Sequence, residues 1–309
     1  MKAKSKNRIP VKDSPAKLRH WVMLLITAVI WGSSFILIKR GLYTSDGREL
    51  FTPIQVGAVR ITVAALFMLP IILNKLDVLK NGKLRYLIAV GLFGNAIPAF
   101  LFALAQTEIS SSVAGMLNAL VPIFSMLIGL LFFAIRIKRI QVVGLLIGLF
   151  GAVGLISTGG TIDVSNMNIA YALLVVVATV CYAISLNTIK QYLQEESAIA
   201  ITGLALLLVS PIGLTILIST DFFYKIENLP GAWTGFGAIS ILAILGTAIA
   251  LMIFNKMVKE TSTIFASSVT YLIPLIAIFW GITDGEILTI TQVLCAFTML
   301  GGIFLINRP

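Results

Sequence analysis

A few polar side chains interrupt long apolar runs in this chain, and they are the ones whose type and spacing could do chemistry. Arg60 is the one charge well inside such a run, about seven residues from its start. An arginine at the centre of a membrane helix costs about 2.5–3.5 kcal/mol on insertion scales, less if the side chain snorkels toward an interface. It therefore either binds a ligand carboxylate or holds an inter-helix network through carbonyl groups. No acidic residue lies within any apolar run to pair with it. Pro122 and Pro274 each lie about twelve residues into a run. Proline has no N–H and clashes with the carbonyl four residues back, here those of Asn118 and Thr270. Each proline thus places a freed carbonyl beside a polar side chain at mid-depth, either as paired ligand contacts or as kinks for packing and gating. Trp31, Tyr182 and Tyr271 fall too deep to be interfacial anchors. They offer rings plus an N–H or O–H to a ligand, or they pack the core. Ser33 and Ser34 beside Gly32 form a small polar patch, and Asn95 beside Gly94 is a costly amide at depth. The candidate ligand-contacting set is Trp31, Ser34, Asn95, Asn118, Tyr182, Thr270 and Tyr271, with Arg60 for a carboxylate or a structural network and Pro122 and Pro274 as kinks.

Catalytic and metal patterns are missing from the sequence. The chain has one histidine, His20, too few for a multi-histidine metal site. No nucleophile elbow or metalloprotease motif occurs, and the turn from Ser157 to Gly160 lacks the Lys-Ser/Thr of a phosphate loop. Cys181 and Cys295 both lie in apolar runs and read as packing residues. We expect no enzyme, no cofactor, no metal and no nucleic-acid partner. The expected partners are a small-molecule substrate and membrane lipids.

The elements that must position these residues follow from composition. Of 309 residues, 58% are apolar and 12% charged, against about 45–50% and about 25% in soluble domains. Ten apolar stretches stand out: 20–39, 53–73, 85–106, 110–134, 139–157, 168–190, 198–219, 233–255, 262–282 and 288–306. Each is near the ~20 residues needed to cross ~30 Å of hydrocarbon. An all-α integral membrane protein with ten transmembrane helices is therefore expected. With the N-terminus inside, 18 basic residues fall on inner segments and four on outer ones. That bias sets a cytoplasmic N- and C-terminus in a plasma (inner) membrane and lays the basic 1–19 tail against the anionic leaflet.

The second half of the chain echoes the first. Residues 94–122, shifted by 152, fall on 246–274 with nine of 29 positions identical, including Gly94/Gly246, Glu108/Glu260, Ser110/Ser262 and Pro122/Pro274. A shift of 151 pairs Trp31 with Tyr182, Lys39 with Lys190 and Gln141 with Gln292. Two five-helix repeats, 20–157 and 168–306, joined by a loop at 158–167, are expected. An odd number of spans per repeat inserts the second copy upside down. Such inverted repeats typify secondary transporters with a midplane substrate site. A passive channel and a membrane-embedded lipid enzyme are the alternatives. Ser110 and Ser262 are placed to N-cap the fourth and ninth helices, with Glu108 and Glu260 near those N-termini. Gly144, Gly148, Gly151 and Gly154 read as a packing seam, within the fold or between protomers. Trp280 reads as an interfacial anchor.

At this point the chain resembles the EamA-type drug/metabolite transporters. The resemblance rests on Trp31-Gly32-Ser33-Ser34-Phe35 with Lys39, on Arg60, on Gly91 to Ala105, on Ser110 to Pro122, and on Gln141 to Gly144. Gly246 to Pro274, Gly285-Glu286 and Gln292 form the second copy, and the likeness covers about residues 20–306. In one place the chain departs: where the second copy has Gly285-Glu286, the first has Ala134-Ile135. The resemblance implies export of amino acids and other metabolites or drugs. It also implies a central cavity among spans 1, 3, 4, 6, 8 and 9, with 5 and 10 packed behind. The two repeats are expected to rock about that cavity by alternating access.

Overall fold

The computed structural model describes residues 17–80, 82–133, 138–158, 167–260 and 269–306. Most of the basic tail, nearly all of the 158–167 connection, Ala134, Ile135 and Ser262 lie outside these ranges. Eight helices are long and apolar enough to cross a membrane: α1 (Leu18–Leu42), α2 (Pro53–Leu79), α3 (Leu84–Ala105), α4 (Ser111–Phe132), α5 (Arg139–Ser157), α6 (Ile169–Tyr192), α7 (Ala198–Ser219) and α8 (Ala232–Phe254). Two shorter apolar helices follow, α9 (Val269–Thr283) and α10 (Ile290–Ile306). Two pieces were not foreseen: a 3₁₀ stretch at Leu73–Lys80 closing α2 and a short helix, Phe222–Asn228, between α7 and α8.

Local chemistry sets the helix starts. Thr52 and Gln55 form a reciprocal capping box ahead of Pro53, which satisfies two N–H groups that a helix start leaves unpaired. Ser110 accepts from Val113 N–H and Ser197 from Ala200 N–H. Gln141 and Gln292, equivalent under the internal shift, do the same work: their side-chain carbonyls accept from Lys138 N–H and Thr289 N–H, both at 2.9 Å.

The distortions also come in related places. In α3 a π turn spans Leu92–Ala96, and in α8 one spans Leu242–Ile249. Gly94 and Gly246 sit in them at equivalent positions. Pro98 follows the first turn and cannot donate to the carbonyl of Gly94, which favours the wider turn there. In α4 the helix breaks at Ala119 and Leu120, two residues ahead of Pro122. Pro274, by contrast, is carried inside α9 with no break.

Packing is exchanged between the halves. α1 lies against α8 and α9, while α6 lies against α3 and α4. α2 pairs with α7 and α5 with α10. Small residues permit the close approaches. A Cβ on Gly302 would stand 2.4 Å from the backbone nitrogen of Gly148, and one on Gly115 would stand 2.2 Å from Ala277. The glycine seam of α5 therefore lies within the fold, against α10, and Cys295 packs over Gly154. Away from these seams large apolar side chains face outward, among them Phe132 and Phe150 at 76% and 77% exposure. An apolar surface of that extent requires lipid around it.

Candidate functional site

The centre of the bundle is built from the two π turns and the helices crossing them. The Trp31 indole N–H of α1 donates to the carbonyl of Gly246 in the π turn of α8 at 2.9 Å. Its ring lies 5.2 Å from that of Phe254. The equivalent residues in the other half repeat the contact, with Tyr182 of α6 stacked on Phe102 of α3 at 6.1 Å. Ser34 also belongs here: a Cβ on Gly246 would lie 3.4 Å from its hydroxyl, which itself donates to the carbonyl of Ile30.

Next to Gly246, Thr247 turns into a small gap with Arg60, Ile61, Asn95, Ala99 and Leu206. Arg60 is half-buried and has no hydrogen-bond or ion-pair partner among the described residues. Among the described residues no inter-helix network holds it. The Asn95 side-chain amide donates to the carbonyl of Val90 at 3.3 Å. The hydroxyl of Thr247 is buried and unpartnered among the described residues. The gap measures about 10 Å³, about the room for one water molecule. Its walls come from α3 and α8, two of the spans expected around a central cavity, and from α2 and α7, which were not.

The sequence-predicted residues thus separate. Arg60 and Asn95 line the same gap, and Trp31 and Ser34 lie beside it through Gly246, the neighbour of Thr247. Tyr182 sits in the equivalent aromatic pair. Asn118, Thr270 and Tyr271 are half-buried on α4 and α9 and do not line this gap.

A second polar cluster, at the Lys39 end of the bundle, was missed. α9 closes in a Schellman turn: Glu286 N–H donates to Gly281 and Gly285 N–H to Ile282, with Gly285 at φ +82°. A left-handed residue at that position favours glycine, which explains the Gly-Glu pair. The turn aims Glu286 at the start of α4. There its carboxylate accepts from Ser111 N–H at 2.8 Å, Ser112 N–H at 3.0 Å and the Ser112 hydroxyl at 2.6 Å. A helix N-terminus, with its unpaired N–H groups and positive dipole end, holds an anion well. Glu108, two residues before the Ser110 N-cap, is exposed; its counterpart Glu260 has a side chain outside the described set.

Lys39 bridges Asp284 at 2.6 Å and Glu286 at 3.5 Å, and Arg40 also pairs with Asp284. Trp280, expected as a plain anchor, donates its indole N–H to Ser33 at 2.7 Å. A cleft of about 370 Å³ opens beside this latch, lined by Ser33, Leu37, Arg40, Trp280 and Asp284 among others. At the opposite end Lys83 pairs with Glu196 at 2.5 Å and Tyr86 stacks on Tyr192 at 4.1 Å.

Among the described residues no three His, Cys, Asp or Glu side chains gather as metal ligands. Comparison with known proteins agrees with a transport role. A transporter of Archaeoglobus fulgidus, named only as uncharacterized, is 29% identical over 293 residues, 94% of this chain and 99% of its own. The uncharacterized inner membrane transporter YedA of Escherichia coli K12 is 25% identical over 258 residues, 82% of this chain and 78% of its own. One crystal structure superposes with a TM-score of 0.61 at 15% identity, covering 94% of this chain and 96% of that one, a likeness of fold alone. The profile of the EamA-like transporter family matches residues 19–157 and again residues 169–308, one match per half, and the chain belongs to that family.

Proposed function

We propose that this protein is a secondary transporter of ten spans arranged as two inverted five-helix repeats. It exports small metabolites, such as amino acids, by alternating access of a central site. The observation that carries this reading is the exchanged pairing at the centre: Trp31 on Phe254, Tyr182 on Phe102, and a π turn beside each pair. Two equivalent hinges meeting at polar residues form a machine with two related states, in which one half rocks against the other. The basic-residue bias supports cytoplasmic termini, which puts the Lys39 latch on the outer face. The described conformation is then an occluded one, with the site collapsed to a gap of one water.

Purified protein in liposomes, loaded with labelled amino acids and other metabolites, tests the proposal. The expected result is saturable, solute-specific counterflow. Ohmic single-channel conductance would instead establish a passive channel, and loss of all specific flux would remove the transport assignment.

A further inference from the structure

The central gap joins three observations that point to one kind of ligand. Arg60 carries a full positive charge within the spanning part of α2 and finds no partner among the described residues. The Thr247 hydroxyl faces the same gap, buried and unpartnered. Asn95, across from them, uses its amide nitrogen once, at a long 3.3 Å, and keeps its carbonyl and second N–H for another group. Charged side chains within membrane spans normally pair with one another or with carbonyls, and buried polar atoms normally find partners. Both rules fail at the same spot.

We propose that the Arg60–Asn95–Thr247 gap is an anion subsite that takes the carboxylate of the transported solute when the halves separate. This rests on the transport reading above and narrows its substrate class. The guanidinium presents a planar fork of donors that matches a carboxylate two bonds at a time. The hydroxyl and the amide add single donors from α8 and α3. One ligand group would then bridge α2, α3 and α8, drawing on both halves of the chain. No acidic side chain lines the gap. A ligand's ammonium group therefore gains no counter-charge there, and a plain carboxylic acid should bind at least as well as the matching amino acid.

The test needs no variant at first. Purified full-length protein is melted in chloride-free buffer with carboxylic acids, the matching amino acids and the matching carboxamides. Acids should raise the melting temperature by mass action, and neutral carboxamides of the same shape should not. In a second arm Arg60→Gln should weaken the acid's affinity about tenfold to hundredfold, the usual worth of hydrogen bonds to a charged group. Arg60→Lys should keep part of it. Equal shifts from acid and carboxamide, no shift from any acid, an equal shift from chloride alone, or full acid binding by Arg60→Gln would each overturn the subsite. Counterflow of a neutral solute unaffected by Arg60→Gln would sink the subsite and leave the transporter standing. Acid binding that depends on Arg60, without flux of any solute, would do the reverse.

Discussion

At the residue scale, the centre depends on contacts made by few atoms. Trp31→Phe keeps a ring against Phe254 but removes the donor to the Gly246 carbonyl. The lost bond should cost about 1 kcal/mol, read as a lower melting temperature with flux reduced and not abolished. Asn118 and Tyr271 are a separate question, since neither lines the Arg60 gap in the closed conformation. If opening brings α4 and α9 to the solute, Asn118→Ala and Tyr271→Ala lower flux at matched expression while melting stays near wild type. Unchanged flux from both would leave Asn118 and Tyr271 out of the site. Types and depths of these residues could be read along the chain. Which of them meet could not, because a helix face is chosen by its neighbours. The missing partner of Arg60 likewise appears only once every side chain within reach is placed.

At the element scale, glycines decide how closely helices approach. Gly302 and Gly301 are adjacent on α10, yet a Cβ on Gly302 would strike the backbone of Gly148 and Gly144 while one on Gly301 meets nothing within 4 Å. Gly302→Ala should destabilise by about 1–3 kcal/mol, since backbone cannot yield as a side chain can. Gly301→Ala should be neutral or stabilising by up to about 1 kcal/mol through helix propensity. Thermal melts of the two variants in one detergent check the contrast, and equal losses would mean the seam is not tight. The seam was visible in the sequence as a period of small residues on one helix. Its partner was not, and the packing of α5 against α10 settles that it is internal. The π turns left less trace. Pro98 hints at the one in α3, but α8 has no proline at the matching position.

At the scale of the whole molecule, the two ends are fastened by different contacts. Among the described residues the Lys39 end holds a carboxylate on the N-terminus of α4 and two ion pairs on Asp284, and the other end holds the ion pair between Lys83 and Glu196. The equivalent of Glu286 in the first repeat is Ile135, so the second repeat alone supplies this acid. Glu286→Gln should remove about 1–3 kcal/mol from the closed outer face, and a shift of one or two kcal/mol is a factor of about 5–30 in population. The measurement is labelling of Val113→Cys, buried on α4 at 2% exposure, by an impermeant maleimide after Cys181 and Cys295 are replaced by alanine. Labelling from outside should speed up with Glu286→Gln and stay unchanged with Glu196→Gln. Equal rates in both would show that the latch does not gate access.

The sequence alone determined what is periodic and local: apolar lengths that match a bilayer, caps that start helices, the repeated half, and the membrane class that follows. Hydrophobic burial and backbone hydrogen bonding act through neighbours along the chain, so they can be read from it. Only the tertiary structure decided the pairings across the halves. Glu286 reaches the start of α4 across 175 residues of chain, and Arg60 faces Asn95 and Thr247 from three different helices. Those meetings are set by how helix surfaces fit, a property of pairs of elements that no single segment carries.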